Sequence, residues 1–217
     1  MSFNKDPWSA ATHFAGFLAA IVGLVFLVLP SIHNPAKVTA MALYGGSLVA
    51  LFLASSAYHF FDLGHRGNRW LKRLDHSAIF GLIAGSYMPP IIHFLDGPMR
   101  ITMLAVVGGI ALAGVIVKLA WIDAPGWMSL ALYLALGWIV LVPIWWMLPH
   151  MAASSLALLI AGGVTYTLGA VVYAKKWPDP WPELFGHHEV WHLFVLGGAA
   201  LHYGCMFTLV GAPVPAF

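Results

Sequence analysis

Charge is scarce in this sequence. Only 8% of its 217 residues are Asp, Glu, Lys or Arg, against about 25% in an ordinary soluble domain. With 61% of the residues hydrophobic, a water-soluble globule is excluded. Ten basic and eight acidic residues leave a formal charge of +2. The cations are interrupted by apolar runs, which excludes an extended basic surface for nucleic acid. Cysteine is nearly absent: Cys205 stands alone, so no intramolecular disulfide forms and no oxidising compartment is required. Internal repeats and low-complexity linkers are missing as well. Lys5 is the one basic residue before the first apolar run, and no small-residue cleavage site closes that run. Residues 9 to 29 therefore read as a retained helix rather than a signal peptide.

What the sequence has in abundance is long apolar runs. They lie at about 9–29, 38–60, 75–95, 100–121, 127–148, 151–174 and 187–210, each near the ~20 residues that cross a bilayer. Turn-forming stretches separate them, among them Asn34-Pro35, Asp62 to Arg73, Asp96-Gly97-Pro98 and Asp123-Ala124-Pro125-Gly126. The expectation is an all-α membrane protein: one seven-transmembrane helix bundle over residues 1–217 with no extramembrane domain. Seven crossings put Lys5, Arg66, Arg69, Lys72, Arg73, Lys118, Lys175 and Lys176 on one side, with Lys37 and Arg100 on the other. That asymmetry predicts a cytoplasmic N-terminus and an outside C-terminus in an inner, plasma-type membrane. Arg66, Arg69, Lys72 and Arg73, with Trp70, suit anionic lipid head groups, although setting topology is the simpler role.

Ionisable residues inside a membrane are costly and by default mark function. Here they gather at one depth. His59 ends span two, Asp75 and His76 open span three, and His187, His188, Glu189 and His192 open span seven. Ser55 precedes His59 by four residues and His188 precedes His192 by four, so each pair shares a helix face. Three imidazoles with a fourth position open for water suit a catalytic zinc ion, and His59, His188 and His192 are the candidate ligands. Asp75 is a candidate base or a support for a ligand ring, and Ser55 a candidate holder of water or a substrate oxygen. Zinc there would acidify a water and polarise a carbonyl, which points to hydrolysis of a lipid amide or ester.

Residues 188 to 192, His-Glu-Val-Trp-His, also fit the pattern in which two His bind zinc and the Glu is the base. This keeps an intramembrane zinc protease with Glu189 as base in contention. The plainer reading of Glu189 is a carboxylate favoured by the dipole of a helix N-terminus.

These residues resemble the progestin and adiponectin receptor (PAQR) superfamily, most closely its bacterial hemolysin III branch. The marks are Ser55-Ser56-Ala57-Tyr58-His59, Leu74-Asp75-His76-Ser77-Ala78-Ile79 followed by Gly85-Ser86-Tyr87-Met88-Pro89, and His188-Glu189-Val190-Trp191-His192 with Ala200-Leu201-His202-Tyr203-Gly204. The resemblance implies seven helices with the N-terminus inside. It implies zinc near the cytoplasmic face on the histidines at 59, 188 and 192, with Ser55 and Asp75 belonging to the site. Relatives such as the adiponectin receptors and alkaline ceramidases are linked to hydrolysis of ceramide-like amides. His76 departs from the Tyr usual in the eukaryotic receptors, and Glu189 from the Gln of the adiponectin receptors. His76 could thus compete with Asp75 or add a ligand.

The remaining features have plainer readings. His202, ten residues beyond His192, lies about 15 Å deeper and is expected either to line a cavity or, the favoured reading, to hydrogen-bond a neighbouring helix. His13, at the inner end of span one, is within reach of the site, with an interfacial hydrogen bond the favoured expectation. Trp8, Trp70, Trp121, Trp127, Trp145, Trp146, Trp177 and Trp181 form an interfacial belt. The pairs Gly45-Gly46, Gly108-Gly109, Gly162-Gly163 and Gly197-Gly198 permit close helix approach. Pro89-Pro90 and Pro143 are expected to kink their spans. A membrane-embedded zinc-dependent hydrolase leads, with membrane lipid as substrate or ligand. A non-enzymatic receptor or sensor braced by the same zinc is the alternative. A membrane-lytic or channel role ranks lower, because the ionisable groups cluster at one face instead of lining a continuous path.

Overall fold

A backbone surrounded by lipid finds hydrogen-bond partners only within itself, and the apolar runs accordingly fold into helices. The structure, a computed structural model, describes residues 5–212; the domain's extreme ends, 1–4 and 213–217, lie outside the described residues. Its helices are α1 (Pro7–Val28), α2 (Pro35–Phe60), α3 (Gly64–Phe94), α4 (Gly97–Ala120), α5 (Gly126–Trp138), α6 (Ile144–Met147), α7 (Ala153–Lys175) and α8 (His187–Thr208). Starts follow local chemistry. Pro7 and Pro35 occupy first-turn positions that need no donor, and Asn34 caps α2 by accepting from the Lys37 amide at 3.0 Å. Among the described residues six helices are long and apolar enough to cross a membrane, and α5 with α6 forms a bent pair that, counted as one span, brings the number to seven.

Two spans differ from the expected boundaries. α3 begins at Gly64 rather than near 75 and runs 31 residues, about 46 Å. That exceeds the ~30 Å hydrocarbon core, so the helix extends beyond the lipid. Hydropathy marks where the lipid ends, not where the helix ends. Asp62 organises this start by accepting from the Gly64 amide at 3.2 Å and the Asn68 side-chain amide at 2.9 Å. Those donors hold its carboxyl below the usual carboxylate range. Arg66, Arg69, Lys72 and Arg73 thus stand on helix, not loop. α3 also continues through Pro89 and Pro90.

The expected fifth span, 127–148, is the broken one. α5 passes into a 3₁₀ turn at Ile139–Leu141, Pro143 precedes α6, and a second 3₁₀ turn covers Leu148–His150; the two parts meet at a 41° bend. Proline removes an amide donor and cannot continue the helix without distortion. Tyr87 of α3 supplies what the break needs. Its hydroxyl proton is shared between the carbonyls of Leu136 (2.8 Å) and Gly137 (2.7 Å), and its oxygen accepts the Val140 amide (2.9 Å).

α1 packs on α2, α2 on α3, α3 on α4 and α7 on α8, while α1 against α8 closes the ring; α5 touches α3, α4 and α7 only sparingly. Glycine permits the closest approaches. A Cβ on Gly45 would lie 2.6 Å from Leu24 Cδ1, and one on Gly198 would lie 2.9 Å from the Tyr166 ring, whereas Gly46, Gly108 and Gly109 face open space. All eight belt tryptophans are exposed, as are Leu29, Ile101 and Leu112, a surface suited to lipid and not to water. This is an integral membrane protein.

Tyr87→Phe keeps the shape and deletes the hydroxyl that serves three backbone groups. It should destabilise the folded protein by about 1–3 kcal/mol, read as a lower midpoint of thermal unfolding in detergent.

Candidate metal centre

The last turn of α2 and the first turns of α8 meet at one end of the bundle, beside the start of α1. His59 enters from α2, and His188 and His192 from consecutive turns of α8. Their ligand-capable nitrogens all lie within 4.8 Å of one another. His59 Nε2 and His188 Nε2 are 3.4 Å apart. Two nitrogens at ~2.0–2.1 Å from a tetrahedral zinc ion stand about 3.3–3.4 Å apart, so this pair has the spacing of metal ligands. His192 is 0% exposed, yet its Nε2 has no hydrogen-bond partner. A buried acceptor or donor left bare is costly, and a metal ion is the partner this donor set suits.

The opposite ring edges are held from α1. Asp6 Oδ2 lies 3.0 Å from His59 Nδ1, the carboxylate support that orients ligand imidazoles. Thr12 Oγ1 lies 3.4 Å from His192 Nδ1. His13 stacks on His192 with ring centroids 3.7 Å apart and planes 9° from parallel, and its Nδ1 is 2.7 Å from Ser55 Oγ. Asp75 is buried, with Oδ2 3.3 Å from His76 Nδ1. His76 stays outside the three-His group, while its backbone carbonyl accepts from Tyr133.

Glu189 is engaged at both carboxylate oxygens. Oε2 accepts the Gly186 amide at 2.9 Å, the one half of a capping box that a glycine N-cap permits at the start of α8, and Oε1 accepts the Ser9 hydroxyl at 2.6 Å. Asp179 adds to the cap by accepting the His187 amide at 2.7 Å. The negative charge sits where the helix dipole favours it, and it ties α8 to α1.

A cavity of about 450 Å³ approaches the site from within the bundle; its head is lined by Ser55, Asp75 and His13, and the rest is mostly apolar. The three clustered histidines are not among its lining residues; His188 instead borders a second pocket of about 360 Å³ with Trp127, Tyr173 and Lys176. The cluster therefore lies between the two.

All six residues singled out from the sequence, Ser55, His59, Asp75, His188, Glu189 and His192, fall at this end of the bundle. Asp6, Ser9 and Thr12 were not singled out, and His13, expected first as an interfacial hydrogen-bonder, stacks on His192 and meets Ser55. Nothing in a single sequence brings α1 against α8, since that contact joins residues some 180 apart. The polar run Ser9, Thr12, His13 at the edge of an apolar span was the available signal.

A family described as "Haemolysin-III related" matches residues 1–203. The chain is similar to "Hemolysin-3" of Bacillus cereus, 34% identical over 210 residues that cover 95% of this chain and 92% of that protein. It is 31% identical over 216 residues to "Hemolysin-3 homolog" of Bacillus subtilis (strain 168), covering 98% of each. A plant relative, "Heptahelical transmembrane protein ADIPOR2" of Oryza sativa subsp. japonica, is 29% identical over 196 residues, 82% of this chain and 84% of that one.

Gln at the third helical position still accepts from the N-cap amide. Glu189→Gln should therefore unfold near the parent temperature, whereas Glu189→Ala should lose about 1–2 kcal/mol, measured by thermal unfolding in detergent.

Proposed function

The chain belongs to the haemolysin-III-related family, within the PAQR superfamily, and from that premise we propose that it is a zinc-dependent hydrolase of a lipid amide or ester. The carrying observation is the convergence of His59, His188 and His192, with the bare buried Nε2 of His192, beside a cavity headed by Ser55 and Asp75. His59, His188 and His192 would hold the zinc ion. Bound there, zinc would supply a Lewis acid that polarises a carbonyl and makes water a nucleophile near neutral pH.

The protein's own groups complete the chemistry. The apolar cavity takes the lipid chain and excludes bulk water. Ser55, fixed by His13, hydrogen-bonds the scissile group through Oγ and orients it. Asp75 takes the proton of the attacking water at a carboxylate oxygen and delivers it to the leaving amine or alcohol. Glu189, committed to its cap, is left to structure, which sets Asp75 ahead of it as the base. With the N-terminus cytoplasmic in an inner membrane, Arg66, Arg69, Lys72 and Arg73 on the protruding turns of α3 would meet anionic head groups.

A zinc-braced receptor or sensor is the second reading. What favours it is that the three rings pack on one another and do not line the large cavity. In that case the metal would join α2 to α8 and Asp75 would have no chemistry to perform.

Elemental analysis paired with a lipid-amide hydrolysis assay separates the two. The hydrolase predicts about one zinc per chain, lost together with turnover in His59→Ala and His188→Ala. Asp75→Asn should keep zinc and lose turnover by roughly 10²–10⁴-fold. Zinc without turnover in the wild type favours the brace. A folded wild-type protein without zinc overturns the site assignment itself.

A further inference from the structure

Tyr44 of α2 is completely buried, at 0% exposed, and its hydroxyl has no hydrogen-bond partner. His202 of α8 presents the same anomaly, with Nε2 buried and bare. Both side chains line the ~450 Å³ cavity whose head is Ser55 and Asp75. The Tyr166 ring, 5.4 Å from that of His202 and edge-on to it, borders the same space. Three polar-tipped side chains from α2, α7 and α8 therefore line this mostly apolar cavity away from its Ser55–Asp75 head.

Their depth is set by two helices. Tyr44 lies 11 residues before Ser55 on α2, and His202 lies 10 beyond His192 on α8. At 1.5 Å per residue these separations are about 16 and 15 Å. His13 links the two starting points, stacking on His192 and approaching Ser55, so Tyr44 and His202 stand at a similar depth beyond the Ser55–His192 level; from His59 itself Tyr44 is 15 residues away, about 22 Å. The sequence favoured a bond from His202 to a neighbouring helix over lining the cavity; the ring meets the Leu159 backbone of α7, while its Nε2 has no hydrogen-bond partner and borders the cavity. Gly162 of α7 leaves room for the ring, since a Cβ there would come within 2.6 Å of Nε2.

We infer that Tyr44 and His202 form a second polar subsite that binds a hydroxyl group carried part-way along the lipid chain. A hydroxyl both donates and accepts, so it satisfies a phenol and an imidazole nitrogen in either tautomer. A plain hydrocarbon leaves both groups bare, a penalty that discriminates strongly against the analogue lacking the group. The preferred ligand is a long-chain amide or ester with its hydroxyl roughly a dozen carbon atoms from the carbonyl, matching the ~15 Å helical spacing. This deepens the hydrolase reading and rests on it for the position of the carbonyl; the subsite itself stands on the bare atoms and the shared cavity.

The test is direct binding to the full chain in lipid nanodiscs, using 12-hydroxyoctadecanamide and octadecanamide as probes. Binding is measured in the wild type and, to prevent consumption of the probe, in His59→Ala. About tenfold tighter binding of the hydroxylated amide is expected in both proteins. Tyr44→Phe and His202→Phe, which keep ring volume, should each bring the hydroxylated amide close to the affinity of the plain one while leaving the plain one unchanged. Equal affinities in the wild type, as when the pair merely holds water, overturn the subsite. So does binding of neither probe, or a preference that survives both substitutions. A hydroxyl preference without hydrolysis sinks the enzyme and leaves the subsite standing; hydrolysis without a preference does the reverse.

Discussion

The α5–α6 pair is broken among apolar helices, and the bundle tolerates the break because Tyr87 satisfies it. Lipid offers nothing to a carbonyl or amide released from a helix. One phenol answers the carbonyls of Leu136 and Gly137 and the amide of Val140 together. The consequence reaches beyond local stability. A straight helix between α3 and α7 could pack along its whole length; the bent pair α5–α6 touches its neighbours sparingly, and Gly137, Val140 and Pro143 line the cavity. The interior space, and with it any ligand chemistry, depends on that break being held open by a residue of another helix.

The histidine cluster follows the same logic at the bundle end. Imidazoles are bifunctional, so fixing one nitrogen determines what the other faces. Asp6 holds Nδ1 of His59 and Thr12 approaches Nδ1 of His192, which turns the Nε2 edges inward. α1 contributes no ligand to the three-His group. It acts as the wall that aligns the three imidazoles, and Ser9 joins that wall to the capping carboxylate of Glu189. Within the local motif His-Glu-x-x-His, the histidines converge with His59, while the glutamate bonds the Gly186 amide at the start of the helix that carries them.

Much of this was legible in the sequence because bilayer physics is one-dimensional. Span count, break positions and membrane depth depend only on distance along each helix, so Ser55, His59, Asp75, His188 and His192 were assembled from register alone. What register cannot supply is azimuth and adjacency. That α1 lies against α8, that His13 stacks on His192, and that His202 both meets α7 and lines a cavity are facts about which helix is beside which. The start of α3 was hidden for another reason, since polarity ends a hydrophobic run without ending a helix. The glycine pairs show the same limit: Gly45 and Gly198 meet large side chains, but Gly108 and Gly109, equally suggestive in sequence, face outward.

α8 unites these features, because it bears His188 and His192 near one end and His202 near its middle. A helix keeps such spacings only if it cannot slide or fray, and α8 is secured at both ends. At the start, Glu189 and Asp179 cap its amides and Ser9 ties it to α1. Beyond its other end, Lys37 Nζ of α2 donates to the carbonyls of Val210 and Ala212 at 2.6 Å each, a cation placed where the helix dipole is negative. α2 thus meets α8 through His59 at the three-His group and holds the chain just beyond α8 through Lys37, while Tyr44 and His202 line one cavity between them. Tethers at these two levels set the spacing between a site that would hold the lipid's reacting end and the polar atoms deeper in the cavity. Discrimination along a flexible chain then comes from a rigid spacing in the protein.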